Sequence, residues 1–380
     1  MFLGQFKIDA ENYESVKNAL KEILALLNQT KSIEINQVEY ELEYFLGCDY
    51  KMLLLLYGKK SANSSYSCIY CKANLKEIPD LNSKWTIERS LNDENEDFEP
   101  LISFIDYKKV IVDLLHALLR ISDSLFYLLI LKLSDLDNNP ASTDLKDRPN
   151  LEIFINFLIS ECKITNPSYS SELSEEKIKF SHFNGNERMR IFKELFKKYL
   201  EKRNGRISQK RKNISDLYPN LPLTTFRHEN YVWFNFYKLL TKIKNFRKKT
   251  FEPETIQPLL IKWLRSYLQI SKVNRNFETI GPYLHIWTFH TVELLTTHGD
   301  INLFNTQGLE KLNGFSIKYH NLCTNKNKTK NKYIEQMIKK RNRIEFLYLD
   351  GDFEEFKHFD LDQSEDDENI SDDSLDDLDE

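Results

Sequence analysis

Cys68 and Cys71 lie in the run Cys68-Ile-Tyr-Cys71, a spacing at which two thiolates can grip one tetrahedral Zn²⁺. They make only half a site. No second Cys-x-x-Cys follows, and the candidate completions are His285 and His290 in Tyr283-Leu-His-Ile-Trp-Thr-Phe-His290. Five positions on a regular helix turn two side chains about 140° apart, a poor angle for a shared metal. Pro282 would open that helix, and a loosely wound first turn at His285 eases the difficulty. The alternative is two core histidines in an aromatic helix and a pair of free thiols. Two carboxylates are also placed for chemistry. Asp49, in Gly47-Cys-Asp-Tyr-Lys51, ends a strand-like run, where a rigid strand could present it to a metal ion; it would serve equally as a turn aspartate. Glu310 falls just inside an expected helix and could face the same ion, or simply complement the helix N-terminus.

The elements that must hold these residues read as mostly helical. Met1 to Asp9 reads as a strand, Glu11 to Leu27 as a helix, and Ser32 to Leu46 as one or two strands stopped by Gly47. Lys51 to Tyr57 is a short apolar helix or strand. This order implies a small α/β unit. Val110 to Leu136 has the pattern of a long helix buried on most faces. Further helices are expected at 151–162, 187–203, 230–248, 255–271, 289–296 and 306–322, with Asn204-Gly205 as a helix stop and a turn at His298-Gly-Asp300.

Charge is unevenly spread. The chain carries 53 Lys and Arg against 58 Asp and Glu, a net of −5. Residues 351–380 hold 15 acidic residues and one Lys, which leaves +9 on residues 1–350. A basic body favours an anionic partner, nucleic acid first, although solvated helix faces would carry the same charge. The tail cannot bury enough apolar surface to offset chain entropy and is expected to be disordered. Five cysteines, no signal-peptide pattern and no charge-free apolar run of about 18 residues point to an intracellular, reducing compartment and no membrane span.

Read in order, these residues resemble the catalytic core of the recombination-activating (V(D)J recombinase) and Transib-type transposase family, from about residue 1 to 345. Gly47-Cys-Asp-Tyr-Lys51 followed by Ser64-Ser-Tyr-Ser-Cys-Ile-Tyr-Cys71 is similar to the family's second catalytic aspartate and its zinc cysteines. Asp113-Leu-Leu-His116 resembles the motif that opens its helical insertion, and Phe183-Asn-Gly-Asn186 its Asn-Gly-Asn motif. Ile280 to Leu294, His298-Gly-Asp-Ile301 and Gly308-Leu-Glu310 resemble its zinc histidines and final catalytic glutamate. The His-x₄-His spacing is the family's own.

The resemblance implies an RNase H-like (DDE transposase) core carrying a large all-α insertion. Asp49 and Glu310 would be two of three carboxylates for Mg²⁺ or Mn²⁺, and His116 would stand near the scissile phosphate. Cys68, Cys71, His285 and His290 would hold a structural zinc. The implied organisation is a partial RNase H-like core over 1–60, a cysteine insertion over 61–100 and a helical insertion over 101–280. The zinc histidines and terminal helix follow over 281–345, then the acidic tail over 350–380. The family's first aspartate lies on a strand that would precede the segment matching Met1 to Asp9, so a catalytically incomplete core is expected, through a truncated gene or through decay. Double-stranded DNA is the implied partner, with a homodimer as an option and the nucleus as the site of action in a eukaryote. Lys197 to Lys212 and Lys242 to Lys249 could track phosphates, and Lys202 to Lys212 could serve as a nuclear address. A zinc-stabilised helical interaction protein that has lost the reaction is the alternative.

Overall fold

In the computed structural model, residues 12–304 are described, apart from 75–80, 82–84, 91–97, 138–144, 166, 168, 173–176, 181–182, 204–205, 247–251 and 275–279. Gln336 and Lys339 are described beyond them. The chain divides into two units, 1–307 and 308–380, and every element from Tyr13 to Phe304 lies in the first. The expected strand at Met1 to Asp9, the helix at 306–322 and the acidic tail lie outside the described residues.

Asn12 caps α1 (Tyr13–Gln29), its side chain accepting the Ser15 amide at 2.9 Å. A hairpin follows, β1 (Ser32–Ile35) antiparallel to β2 (Val38–Glu41), with Ile33 opposite Tyr40. Its turn places Asn36 and Gln37 at φ 52° and 65°, the left-handed pair that a two-residue hairpin turn requires. The chain then runs to Leu46, which forms a parallel bridge with Val110. The Leu46 amide donates to Lys109 O at 3.0 Å, and Ile111 N donates to Leu46 O at 2.8 Å. Three residues beyond each bridged position an aspartate caps a helix. Asp49 opens α2 (Tyr50–Leu56) and Asp113 opens α3 (Leu114–Leu136). The Asp113 cap explains why α3 starts later than apolar periodicity suggests, since residues 110–112 belong to the bridge.

Buried on most of its surface, α3 packs against α4 (Pro149–Ser160), α5 (Gly185–Leu195), α6 (Arg227–Lys244), α7 (Gln257–Asn274) and α8 (Pro282–Phe289). By length and composition α3 could cross a membrane, but 61% of its most apolar window is buried among these neighbours, the pattern of a core helix. The centre of the packing is aromatic. Trp233 of α6 meets Phe126 of α3 edge-on at 4.9 Å and Phe192 of α5 at 5.5 Å, and Phe236 bridges Trp263 and Trp287 at 5.6 and 5.5 Å. The buried Trp263 indole N–H is satisfied by Val232 O at 2.9 Å. Last comes α9 (Thr291–His298), ended by Gly299 at φ 69°.

The mostly helical expectation holds. One helix does not run as expected. α5 stops at Leu195, and Lys198–Arg203 is instead a strand, β5, here numbered after a second hairpin of β3 (Tyr169–Glu172) and β4 (Lys177–Phe180). It pairs with β6 (Arg206–Arg211), Arg203 opposite Arg206. Asn-Gly is the strongest short hairpin signal; residues 204–205 lie outside the described residues, but the strands on either side pair as that signal would have them and not as a helix end. Among the described residues, strands form these three separate hairpins and the single parallel bridge; a multi-stranded sheet is not among them.

Candidate metal centre

Two tyrosine hydroxyls and one arginine build the cysteine half of the site. The Tyr50 hydroxyl, at the start of α2, donates to Ser67 O and accepts the Ile69 amide at 3.0 Å. The Tyr70 hydroxyl donates to Val110 O at 2.8 Å and accepts the Val112 amide at 3.2 Å, tying the loop to the parallel bridge. From outside the loop, the Arg89 guanidinium closes it. Its Nε donates to Cys68 O and Cys71 O, both at 2.9 Å, and Nη2 donates to Tyr66 O at 3.1 Å. Arg89 is buried, and the Ile87 amide two residues before it is held by Glu293 of α9 at 2.8 Å.

The histidine half comes from the joint between two short helices. Pro282 is the first residue of α8, after Gly281 as cap. His290 joins α8 to α9 at φ −112° and ψ −14°, with its amide still on Ile286 O at 3.0 Å.

The four side chains meet. Cys71 Sγ lies 3.2 Å from His285 Nε2, Cys68 Sγ lies 3.5 Å from His290 Nε2, and the two Nε2 atoms are 3.3 Å apart. All four donor atoms fall within 4.8 Å of one another, and all four residues are buried. Ligand bonds of about 2.3 Å to sulfur and 2.0–2.1 Å to nitrogen at tetrahedral angles set donor separations of about 3.3–3.8 Å, so the donor set fits Zn²⁺. The electrostatics suit a cation. Burial pushes the Cys68 thiol up, but hydrogen bonding from Cys71 and the Tyr70 and Cys71 amides, with the Arg89 charge, outweighs it and holds Cys68 below its ordinary value. Cys71 is pushed up to about 11, first by its hydrogen bond with Cys68 and then by burial. Burial lowers His285, keeping the imidazole neutral and able to bind metal through Nε2. Neither Nδ1 has a hydrogen-bond partner among the described residues; Tyr70 and Phe289 wall the rings at 5.1 Å each. Four protein donors would close the coordination sphere of a bound zinc, the pattern of structural rather than catalytic sites.

The same helix reaches Asp49. Tyr283 of α8, two residues before His285, accepts the Tyr50 amide through its hydroxyl at 3.1 Å. Asp49 itself accepts the Met52 amide at 3.1 Å as the cap of α2. Burial, with the Asp49 and Asp113 charges adding, pushes the Tyr283 phenol up to about 12, so it stays neutral. Across the bridge, His116 Nδ1 sits 2.7 Å from Asp113 Oδ2. Asp113 Oδ1 accepts the Leu115 amide at 3.1 Å, so this fully buried carboxylate both caps α3 and orients the partly exposed imidazole. Glu310 lies outside the described residues, and its distance from Asp49 with it.

No protein-family model matches the chain, and no curated protein matches it. Sequence reading left out Arg89 and the orienting role of Asp113. Asp113 had a readable signal, an aspartate three positions before a histidine at a helix start. Arg89 had none, because its partners are backbone carbonyls.

Proposed function

We propose that the chain is a transposase- or recombinase-derived DNA-binding protein, built on an RNase H-like core whose helical insertion is closed at both ends by zinc. The carrying observation is the Cys68, Cys71, His285 and His290 donor set. Two short motifs 214 residues apart supply one buried four-donor set, the set that the resemblance to the recombination-activating family implies. The parallel bridge of Leu46 with Val110, with Asp49 and Asp113 each three residues beyond it and His116 held by Asp113, is compatible with the same reading.

Asp49 and Glu310 would hold divalent ions in that family's reaction, where Mg²⁺ or Mn²⁺ activates a water or 3′-hydroxyl and stabilises the leaving oxygen. Two carboxylates hold such a pair of ions weakly, and phosphoryl transfer leaves little else for protein groups to do. With only these two carboxylates assigned, we expect residues 1–380 to bind duplex DNA through their basic body and not to cut it by themselves. A nicking and strand-transfer assay with Mg²⁺ and with Mn²⁺ tests this. No cleavage, alongside binding that falls steeply with salt, is the expected result. Robust cleavage abolished by Glu310→Gln would overturn the inactive reading. The second reading is a zinc-stabilised helical interaction protein without DNA activity, favoured by the separate two-stranded hairpins among the described residues. Absence of any duplex binding at low salt would select it.

A further inference from the structure

The hairpin of β5 and β6 concentrates charge unlike any other described element. Residues 197–212 hold eight Lys and Arg and one acidic residue, Glu201. The register sets cation opposite cation at both ends, Lys198 against Arg211 and Arg203 against Arg206. Like charges directly opposite on a two-stranded ribbon destabilise it, so ribbon stability does not account for this arrangement. A polyanion lying along the ribbon does.

The root of the ribbon is firmly mounted. Lys212 N donates to Lys197 O at 2.9 Å beyond the last strand pair. The Arg211 guanidinium lies over the Phe234 ring of α6 at 4.2 Å. Lys212 pairs with Glu161 at 3.0 Å and lies over Phe157 at 5.1 Å, and Lys197 pairs with Glu194 at 3.3 Å. The cations at the root are thus tied to α4, α5 and α6. Lys202, Arg203 and Arg206 sit at the distal register positions, farthest from that mount.

The geometry points to the β5–β6 ribbon as a duplex-DNA arm that enters the major groove, an inference that rests on the DNA-binding reading above. Two antiparallel strands match a groove about 12 Å wide, and six residue pairs extend about 20 Å. The distal cations meet phosphates at the groove edges and supply affinity rather than sequence choice. A single strand has no groove to receive the ribbon, so duplex is the preferred form.

The test is a salt titration of the full zinc-loaded chain with a short duplex and with a single strand of equal length. The variant Lys202→Ala/Arg203→Ala/Arg206→Ala is compared with Lys21→Ala/Lys262→Ala/Arg265→Ala, which removes equal charge from exposed positions on α1 and α7. Zinc content and melting temperature check that both fold. Each cation withdrawn from a phosphate lowers the slope of log affinity on log salt by about 0.9, so the ribbon variant should lose about 2.7 and bind duplex ~10-fold or more weakly. The control should hold the wild-type slope. A ribbon variant matching wild type, or one no weaker than the control, overturns the arm while leaving DNA binding intact. Equal wild-type affinity for single strand and duplex overturns the groove placement. A wild-type chain that binds neither overturns the DNA reading and the arm together.

Discussion

Replacing Arg89 by Met tests whether the metal centre depends on a residue that never touches the metal. Met keeps much of the apolar stem and removes the guanidinium. Three carbonyls, of Tyr66, Cys68 and Cys71, are then left without their donor. Nε is shared between two of them, so the loss amounts to two charge-assisted N–H groups at about 1.5–3 kcal/mol each, or about 3–6 kcal/mol before relaxation. Part of this loss falls on the protein with and without metal and appears as lower thermal stability. The part that weakens zinc binding is smaller, because it reflects only how much better Arg89 serves the loop when both sulfurs are anionic. Outer partners of metal ligands are typically worth roughly 10- to 100-fold in affinity, about 1.4–2.8 kcal/mol. Chelator competition measures the zinc affinity, and a melting curve at saturating zinc measures the remainder. Arg89→Lys restores the charge but not the fork, and should fall between wild type and Arg89→Met. Wild-type zinc affinity and melting in Arg89→Met would refute the argument that the guanidinium shapes the loop.

Purified protein should contain one zinc per chain, and Cys71→Ser should abolish stoichiometric binding and loosen the helical array, read by metal analysis and melting; full occupancy in that variant would remove Cys71 from the site. Asp113→Ala should cost about 2–4 kcal/mol, combining a lost helix cap with a lost buried charged hydrogen bond. Asp113→Asn keeps the cap and should cost roughly 1 kcal/mol, a difference that denaturant titration resolves. Deleting residues 351–380 removes a net charge of −14 and should strengthen duplex binding at low salt if the tail competes for the basic surface; unchanged affinity would leave a solubilising tail.

Local pattern carried the helices well because most of them bury one face. Val232, Phe236, Leu239 and Ile243 of α6 recur at helical spacing and are all buried. It failed where a short-range signal had two meanings. Asn204-Gly205 reads as a helix stop or as a hairpin turn, and only the pairing of residues on either side decides between them. The metal centre was legible as two halves, while the means of joining them was not. His290 stands at the α8–α9 joint and meets Cys68 only once the chain between them has folded. Polar residues that serve the backbone, such as Arg89, Tyr50 and Tyr70, leave no periodic mark, because a carbonyl partner has no residue type.

The distance along the chain between the two halves of the metal centre also sets a timetable. Cys71 precedes His285 by 214 residues, which at about 5–20 residues per second is roughly 10–40 s of synthesis. Throughout that interval the growing chain displays two thiols without the imidazoles that complete their site. An ion captured early is held by half its ligands and is easily surrendered to a competing thiol. Everything from the Arg89 loop to α7 must therefore tolerate an open ring while it folds. A bound zinc would become permanent only when α8 arrives, so its retention would report that the helices in between have been placed.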